Sequence, residues 1–128
     1  MKARLFFLLF VPLLFSFTGS QSLEDISKAL GQGDVDTLST YLDAEVELSV
    51  MGEDDFYTGA EASAVLKEFF GKYPAAKFSQ IHNGVSPTTK AEYCIGNLVA
   101  GGSTFRVVIY LSDVEGRLKI KKLSFDEE

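Results

Sequence analysis

The chain has 128 residues, of which 46 % are apolar and 23 % are charged, and its formal net charge is −6. This length predicts one domain, and the acidic balance argues against a protein that binds the nucleic-acid backbone, which requires a basic face. A single cysteine and a single histidine exclude an internal disulfide framework, a cysteine-rich zinc site and a multi-histidine site, so we expect no metal centre.

The N-terminal segment has the order of a secretory signal peptide. Lys2 and Arg4 form a short basic region, residues 5–17 are an apolar run, and small polar residues follow it. The run is shorter than the ~20 residues that a membrane span needs, although a core helix or a membrane anchor remains the alternative interpretation. We expect cleavage after Ser20, so that residues 1–20 are the signal peptide, with cleavage after Ser22 as the alternative.

The mature chain is expected to be one exported domain over residues 21–128. Loss of Lys2 and Arg4 reduces the 12 basic residues to 10 against 18 acidic ones, which gives a net charge of −8. We find no internal repeat, low-complexity stretch or linker in this part of the sequence. We therefore expect a periplasmic or extracellular protein with no membrane span after signal removal and no affinity for nucleic acid.

Helical spacing predicts two short helices and one long helix. Residues 22–30 place apolar side chains at this spacing, and Gly31 is expected to end the helix. Asp34 is expected to cap a second short helix. Residues 60–72 carry a wide apolar stripe, and Pro74 is expected to end this longer helix.

Strand patterns occupy the rest of the chain. Residues 45–50 alternate apolar and polar side chains, residues 51–55 are expected to turn, and residues 56–57 are expected to form a brief returning strand. Four further strands are predicted at residues 77–83, 91–100, 104–111 and 117–125. Turns are predicted at Asn83-Gly84, Gly101-Gly102 and residues 113–116.

Apolar residues that fall out of phase predict bulges in the first of these four strands and near Lys121 and Lys122 in the last. Two bulges indicate a strongly curved sheet. We therefore expect an α+β fold in which a curved antiparallel sheet wraps on one long and two short helices, forming a cone with an apolar hollow.

Several local motifs resemble the nuclear transport factor 2-like (cystatin-like) superfamily. They are ISKALGQGDVDTLSTYL at residues 26–42, YTGAEA at 57–62 and LKEFF at 66–70. With IHNG at 81–84 and YCIGNL at 93–98, the chain is similar to a bacterial branch, family 4783 of the domains of unknown function, typical of Bacteroidetes-type envelopes. The resemblance covers about residues 22–126 and implies the cone fold, but it assigns no activity, because the superfamily includes isomerases, dehydratases, transport factors and non-catalytic modules.

Few residues suggest chemistry. His82 is the only imidazole, and dehydratases of the superfamily often use a histidine in the cone, but its place beside Asn83-Gly84 favours the rim or the surface. Glu53-Asp54-Asp55 lacks the spaced ligands of a calcium loop and indicates a solvated turn. No phosphate loop, nucleophile elbow or Ser-x-x-Lys motif is present, so we expect no cofactor. The basic residues of the last strand indicate the charged outer face of an edge strand: Arg117, Lys119, Lys121 and Lys122.

A candidate pocket follows from the expected strand parity, which places side chains of two neighbouring strands on the concave side with the long helix. The candidate pocket residues are Tyr57, Leu66, Phe69, Tyr93, Asn97 and Phe105. Such a site is mostly apolar with a few polar anchors, as small-ligand cavities are. The alternative is that the bulky aromatic side chains fill the cone, because small domains need dense cores.

A candidate dimer face lies on the same two strands. Its residues are Cys94, Leu98, Val108 and Tyr110. A sheet face with this composition is too apolar to be left in water without reason. Members of the resembled superfamily often pair through their convex face, so we expect a symmetric homodimer.

The expected function is that of a non-catalytic domain that binds a small apolar ligand or an envelope protein. Tyr93 and Asn97 supply a hydroxyl and an amide, which can orient a ligand but cannot abstract a proton. The alternative is an isomerase- or dehydratase-like enzyme that uses the cone. A buried aspartate or histidine beside a tyrosine in the hollow would favour that enzyme.

Overall fold

The computed structural model describes residues 18–88 and 91–128. Within them lie, in chain order, α1 (Thr18–Gln32), α2 (Val35–Tyr41), β1 (Leu42–Val50), β2 (Glu53–Thr58), α3 (Gly59–Lys72), β3 (Ala75–Val85), β4 (Glu92–Ala100), β5 (Ser103–Val114) and β6 (Arg117–Glu127). The predicted α+β class is confirmed. The basic and apolar regions of the predicted signal peptide, in residues 1–17, lie outside the described residues, and the predicted cleavage point after Ser20 falls in the first turn of α1.

The end of α1 lies two residues beyond its predicted position. Gly33, with a φ of +64°, follows the helix, and Gly31 lies inside it. The amide of Gly33 donates to the Leu30 carbonyl at 3.2 Å, and that of Asp34 donates to the Ala29 carbonyl at 2.8 Å. This pair of hydrogen bonds is a Schellman ending, which requires the left-handed conformation that Gly33 adopts readily.

Side chains cap the starts of α2 and α3. The carboxylate of Asp34 accepts hydrogen bonds from the Thr37 amide at 3.2 Å and the Thr37 hydroxyl at 2.6 Å, as the prediction of a cap at Asp34 requires. These hydrogen bonds hold the pKa of Asp34 below its ordinary value. At α3, Thr58 accepts from the Glu61 amide while Glu61 accepts from the Thr58 amide, which completes a capping box.

The six strands form one sheet in the order β2-β1-β6-β5-β4-β3. β1 pairs with β6 in parallel, and the other neighbours are antiparallel. β6 is therefore central, and the prediction of an edge strand at Arg117 to Lys122 is wrong because β1 occupies its second side. β2 and β3 are the edges.

Tight turns join the hairpins and set their registers. Each consists of two residues with positive φ, the combination of a type I′ turn: Met51 and Gly52, Gly101 and Gly102, and Glu115 and Gly116. Because the first turn needs only two residues, β2 begins at Glu53 and is longer than the predicted strand at residues 56–57.

The edge strand β2 uses side chains to occupy its outward amides. The amide of Phe56 donates to the Asp55 carboxylate at 2.8 Å, and the amide of Thr58 donates to Glu61 at 3.0 Å. In an antiparallel pair alternate residues direct their amides away from the partner strand, and these two lie in that phase. The edge therefore offers few free donors to another strand.

β3 continues through Asn83 and Gly84 to Val85, so the turn predicted at this Asn-Gly pair is wrong. Gly84 lies opposite Tyr93, and a Cβ added to Gly84 would be 2.6 Å from the Tyr93 Cζ. The glycine therefore makes room for the Tyr93 ring and does not reverse the chain.

Both predicted bulges are confirmed. The β3–β4 register shifts between Gln80 and His82, and the β5–β6 register shifts where Lys121 is the extra residue of β6. Two further shifts lie between Ala75 and Lys77 of β3 and between Leu42 and Glu47 of β1. Bulges increase local twist and bend, which accounts for the curvature of the sheet around the helices.

The face of the sheet that packs against the helices (the inner face) encloses one aromatic core. The Phe69 ring centroid lies 5.2 Å from those of Phe70 and Phe105 and 4.5 Å from that of Phe125. All four side chains are at most 8 % exposed. Aromatic side chains therefore fill the centre of the cone, which is the second of the two alternatives drawn from the sequence.

Candidate functional site

The register between β4 and β5 separates the residues of the predicted pocket. Leu98 lies opposite Phe105, and both are fully buried on the inner face. Tyr93 lies opposite Tyr110, and Asn97 belongs to the same alternate set as Tyr93. Directly opposite residues of an antiparallel pair share a face, so Tyr93 and Asn97 lie on the opposite, outer face of the sheet. The predicted grouping of these two residues with Phe105 is therefore wrong.

The predicted dimer face divides in the same way. Cys94 and Leu98 are 0 % exposed and belong to the core, so neither is available on the surface. Val108 lies opposite Ile95 on the outer face, together with Tyr110, which is 39 % exposed. Only Val108 and Tyr110 of the predicted set therefore contribute to an outer surface.

A pocket of about 430 Å³ opens between α3 and the β1–β2 hairpin, at the rim of the filled core. We call it the rim pocket. Its walls include Leu48 and Val50 from β1 and Val65 from α3. Two predicted pocket residues, Tyr57 and Phe69, line it, with Phe69 only 5 % exposed as its floor.

The remaining predicted pocket residue from the helix, Leu66, has no part in the rim pocket. Its side chain is 0 % exposed and belongs to the core cluster. Helical spacing explains the difference, because Val65 and Phe69 lie four residues apart on one face of α3, while Leu66 points about 100° away from Val65 and toward the core. The rim pocket therefore uses a neighbouring stripe of the same helix.

The chemistry of the rim pocket is that of an apolar and aromatic wall with charges at its opening. Tyr73, the C-cap of α3, lies beside Phe69, with ring centroids 5.2 Å apart. Glu53, Glu68 and Lys72 line the opening and are exposed. None of these three charges forms an ion pair with any residue in the described ranges 18–88 and 91–128.

The histidine lies away from this pocket. His82 is exposed on β3 opposite Ile95, and its Nε2 is 3.2 Å from the Tyr93 hydroxyl. The two ring centroids are 5.7 Å apart. The only imidazole of the chain therefore belongs to the outer face, where it supports the Tyr93 ring.

The buried cysteine and one partly buried tyrosine are structural groups. Burial raises the pKa of the Cys94 thiol, which makes it a poor nucleophile. Burial and the neighbouring Asp25 carboxylate raise the pKa of Tyr41, whose hydroxyl donates to Asp25 at 2.8 Å. Neither group lines the rim pocket.

Most of the basic residues of β6 are held by neighbouring elements. Lys121 pairs with Asp43, and its hydrogen bond holds the pKa of Asp43 below the ordinary range. Lys122 pairs with Glu47 at 3.5 Å, and Lys119 donates to the Thr40 carbonyl at 3.2 Å. These contacts join β6 to the start of β1 and the end of α2.

Metal ligands and membrane-spanning helices are absent from the part of the chain that the structure describes. Among residues 18–88 and 91–128, no three His, Cys, Asp or Glu side chains are placed so that they could hold a metal ion. Over the same residues, no helix combines the length and apolar character needed to cross a bilayer.

A model of the family described as a domain of unknown function, DUF4783, matches residues 23–126. The chain belongs to the DUF4783 family. This confirms the family that the sequence motifs indicated. None of the curated proteins matches this DUF4783 chain.

Solved structures show the same fold. A DUF4783 protein of Bacteroides uniformis is 22 % identical, with 82 % of this chain and 95 % of that one covered and a TM-score of 0.76. One from Bacteroides ovatus is 26 % identical, with 81 % and 93 % covered and a TM-score of 0.76. An NTF2-like protein of Cytophaga hutchinsonii is 14 % identical, with 85 % and 94 % covered and a TM-score of 0.63. The nuclear transport factor 2-like architecture of this DUF4783 chain is thus confirmed.

Several pocket residues of this DUF4783 chain were not predicted as site residues. Val65, Glu68 and Lys72 lie on α3, and Tyr73 is its C-cap. With Phe69 they follow the spacing i, i+3, i+4, i+7 and i+8, which is one face of a helix. That spacing is a signal in the sequence, but the partner of this face, the β1–β2 hairpin, becomes evident only from the sheet order.

Proposed function

We propose that this DUF4783 chain is an exported, non-catalytic binding module of the bacterial cell envelope that holds a small ligand in the rim pocket. The observation that carries the proposal is the rim pocket itself, about 430 Å³ in volume, with Leu48 and Phe69 as buried walls and charges only at its opening. Pockets of this size and composition are those that proteins use for small ligands.

The alternative, an isomerase- or dehydratase-like enzyme, has less support. Such an enzyme needs an acid or base within hydrogen-bond reach of the substrate and with a suitably altered pKa. The carboxylates of the rim pocket, on Glu53 and Glu68, are exposed to solvent, and His82 lies on the outer face. Binding without proton transfer is what this arrangement supports best.

The ligand proposal is tested by native mass spectrometry of the protein purified from its own host. We expect a small-molecule adduct on the wild-type protein and its loss in Val65→Trp, because the larger side chain occupies the pocket. Val99→Trp is the matched control, since Val99 is 39 % exposed and does not line the pocket. A wild-type protein without adduct, or an adduct that survives Val65→Trp in a folded protein, would contradict the proposal.

The export part of the proposal rests on the N-terminal sequence. Lys2, Arg4 and the apolar run of residues 5–17 have the order of a signal peptide. We expect the mature protein from the native host to begin at Gln21 or within two residues of it. Mass analysis that finds Met1 retained would contradict export by cleavage.

A second candidate role, pairing with another copy, is favoured by the outer face. Tyr93, Ile95, Val108 and Tyr110 lie on adjacent strands there and form what we call the outer apolar patch. Tyr110 is 39 % exposed. The patch contains no carboxylate, so two copies of an acidic chain can meet through it without direct repulsion. An envelope protein is the other occupant that this surface would suit.

Sedimentation analysis of the isolated protein tests whether a second copy occupies the outer apolar patch. We expect the isolated protein to be a dimer at tens of micromolar and Tyr110→Arg to be a monomer, because a buried unpaired charge opposes association. Val85→Arg is the control, since Val85 is 58 % exposed and lies outside the patch. A wild-type monomer at high micromolar concentration would contradict the homodimer.

A further inference from the structure

Three aromatic side chains line the rim pocket. Tyr57 comes from β2, Phe69 comes from α3 and Tyr73 is the C-cap of α3, and the ring planes of Phe69 and Tyr73 are inclined by 40°. Phe69 is only 5 % exposed and packs on Phe125, so the Tyr57 and Tyr73 rings, which are partly exposed, are the aromatic surfaces that a ligand can reach. The faces of aromatic rings carry negative charge density, and they attract ammonium and guanidinium groups, most strongly when the cation is partly desolvated.

The charges at the opening of the rim pocket also favour cationic ligands. Glu53 and Glu68 contribute two carboxylates and Lys72 contributes one ammonium group, so the opening carries a net charge of −1. Since none of the three is neutralised by an ion pair with a described residue, their charges act on whatever enters the pocket. The net charge of −6 of the whole chain adds a longer-range attraction for cations.

Other ligand classes gain less from this arrangement. A neutral apolar molecule contacts the walls but not the carboxylates of Glu53 and Glu68. An anion is attracted by Lys72 alone and is repelled by the two carboxylates and by the ring faces. The rim pocket therefore distinguishes ligands by the sign of their charge as well as by their apolar surface.

We propose that the rim pocket selects organic cations, ligands that join an apolar body to an amine or quaternary ammonium group. This inference rests on the proposed function, because it names the ligand class of the same pocket. The apolar body lies against Leu48, Val50 and Val65. The cationic group lies at the opening, near the Tyr57 and Tyr73 rings and the carboxylates of Glu53 and Glu68. Affinity is expected to fall with added salt, since exposed carboxylates are screened.

Binding of three probes of matched length tests the proposal: hexyltrimethylammonium, 1-heptanol and heptanoate. Titration followed by NMR is expected to show the cation binding about tenfold more tightly than either comparator, which corresponds to about 1.4 kcal/mol. Equal binding of the cation and the alcohol would overturn the inference and leave the proposed function in place. Failure of all three probes to bind would overturn both.

Substitution of the charged residues at the opening is expected to change the affinity for the cation in opposite directions. Glu53→Gln and Glu68→Gln are each expected to weaken binding of hexyltrimethylammonium about twofold to fivefold, and Lys72→Gln is expected to strengthen it by a similar factor. Binding of 1-heptanol should not change in any of the three. Glu92→Gln is the matched control, because Glu92 is an exposed carboxylate at the far end of β4 and does not line the pocket.

An aromatic variant completes the test. Tyr57→Leu keeps an apolar side chain in the pocket while it removes one ring face, so we expect the preference for the cation over 1-heptanol to shrink. If Lys72→Gln weakens binding of the cation, or if Tyr57→Leu leaves the preference unchanged, the pocket does not recognise ammonium groups.

Discussion

The substitution Gly96→Ala adds one carbon atom at a position where two strands and a phenylalanine meet. Gly96 is buried in β4, opposite Val107 of β5 and Gln80 of β3. An alanine Cβ there would lie 2.7 Å from the Phe78 Cε1 and 2.6 Å from the Ser79 carbonyl oxygen. Atoms of this kind do not approach so closely, so the substitution must displace a ring and a strand.

The expected free-energy change is the difference of two effects. Alanine loses less backbone entropy than glycine on folding, which favours the variant by roughly 0.5–1 kcal/mol. Overpacking typically costs about 1–3 kcal/mol, occasionally more. The Ser79 oxygen belongs to the backbone of the neighbouring strand, so relief requires β3 to move relative to β4 and the cost lies in the upper part of that range. We expect a net loss of about 1–2 kcal/mol in the free energy of unfolding.

Urea unfolding followed by circular dichroism measures this change. The matched control is Gly71→Ala on α3, where an added Cβ meets no atom within 4 Å. There the same substitution is expected to stabilise the protein by up to about 1 kcal/mol, because glycine is a poor helix former. A Gly96→Ala protein as stable as the wild type would refute the packing argument, and an equal loss in both variants would show that the effect is not local to Gly96.

Two further substitutions give separate tests. The Asn97 Oδ1 is buried without a hydrogen-bond partner among the described residues. We therefore expect Asn97→Leu to leave the free energy of unfolding unchanged or to raise it by about 1 kcal/mol. A loss of that size, measured by urea unfolding, would mean that the amide makes a necessary hydrogen bond. The folded-state pKa of Asp34 is lowered below the ordinary 3.8, so its ionised form stabilises the protein above that pH, and this stabilisation disappears as the pH falls through the lowered value. Asp34→Asn keeps a capping side chain but does not titrate, so its unfolding midpoint should differ from that of the wild type at pH 7 and converge with it once the pH falls below the lowered pKa of Asp34. A difference that is independent of pH would rule out this linkage.

The helix caps and the bulges were predictable because each depends on local chemistry. Asp34 and the Thr58–Glu61 pair act through residues three positions away, and the bulge at Lys121 follows from a change of phase within one strand. By contrast, Asn83-Gly84 has the composition of a turn and lies within a strand. The reason is tertiary, since Gly84 is the space in which the Tyr93 ring lies.

The faces of β4 were not predictable from alternation alone, because both phases of the strand carry apolar side chains. Tyr93 and Ile95 alternate with Cys94 and Leu98, and either set would make a plausible inner face. The turn at Gly101 and Gly102 decides the matter, since a two-residue turn places Ala100 opposite Ser103 and therefore Leu98 opposite Phe105. Pairs counted outward from that turn give the correct grouping from the sequence.

The rim pocket was only partly predictable for a different reason. Tyr57 and Phe69 were recognised because they flank and belong to the apolar stripe of the long helix. The sequence around Glu53 indicates a solvated turn. The strand order, with β2 at the edge beside β1, instead places Glu53 at the opening of the pocket. Sheet order depends on contacts between distant parts of the chain, which local patterns do not encode.

The side chains that occupy the outward amides of β2 also limit how this domain can assemble. An open sheet has two edges, and an unlimited stack of molecules would need the β2 edge of one copy to pair with the β3 edge of the next, repeated head to tail. Asp55 and Glu61 already accept the hydrogen bonds of the Phe56 and Thr58 amides. These two amides are therefore not available to the β3 edge of another copy, which weakens the β2 side of every such junction. Any pairing that uses β3 against β3, or one outer face against another, has twofold symmetry and stops at two copies. The fold thus permits closed pairs and opposes fibres.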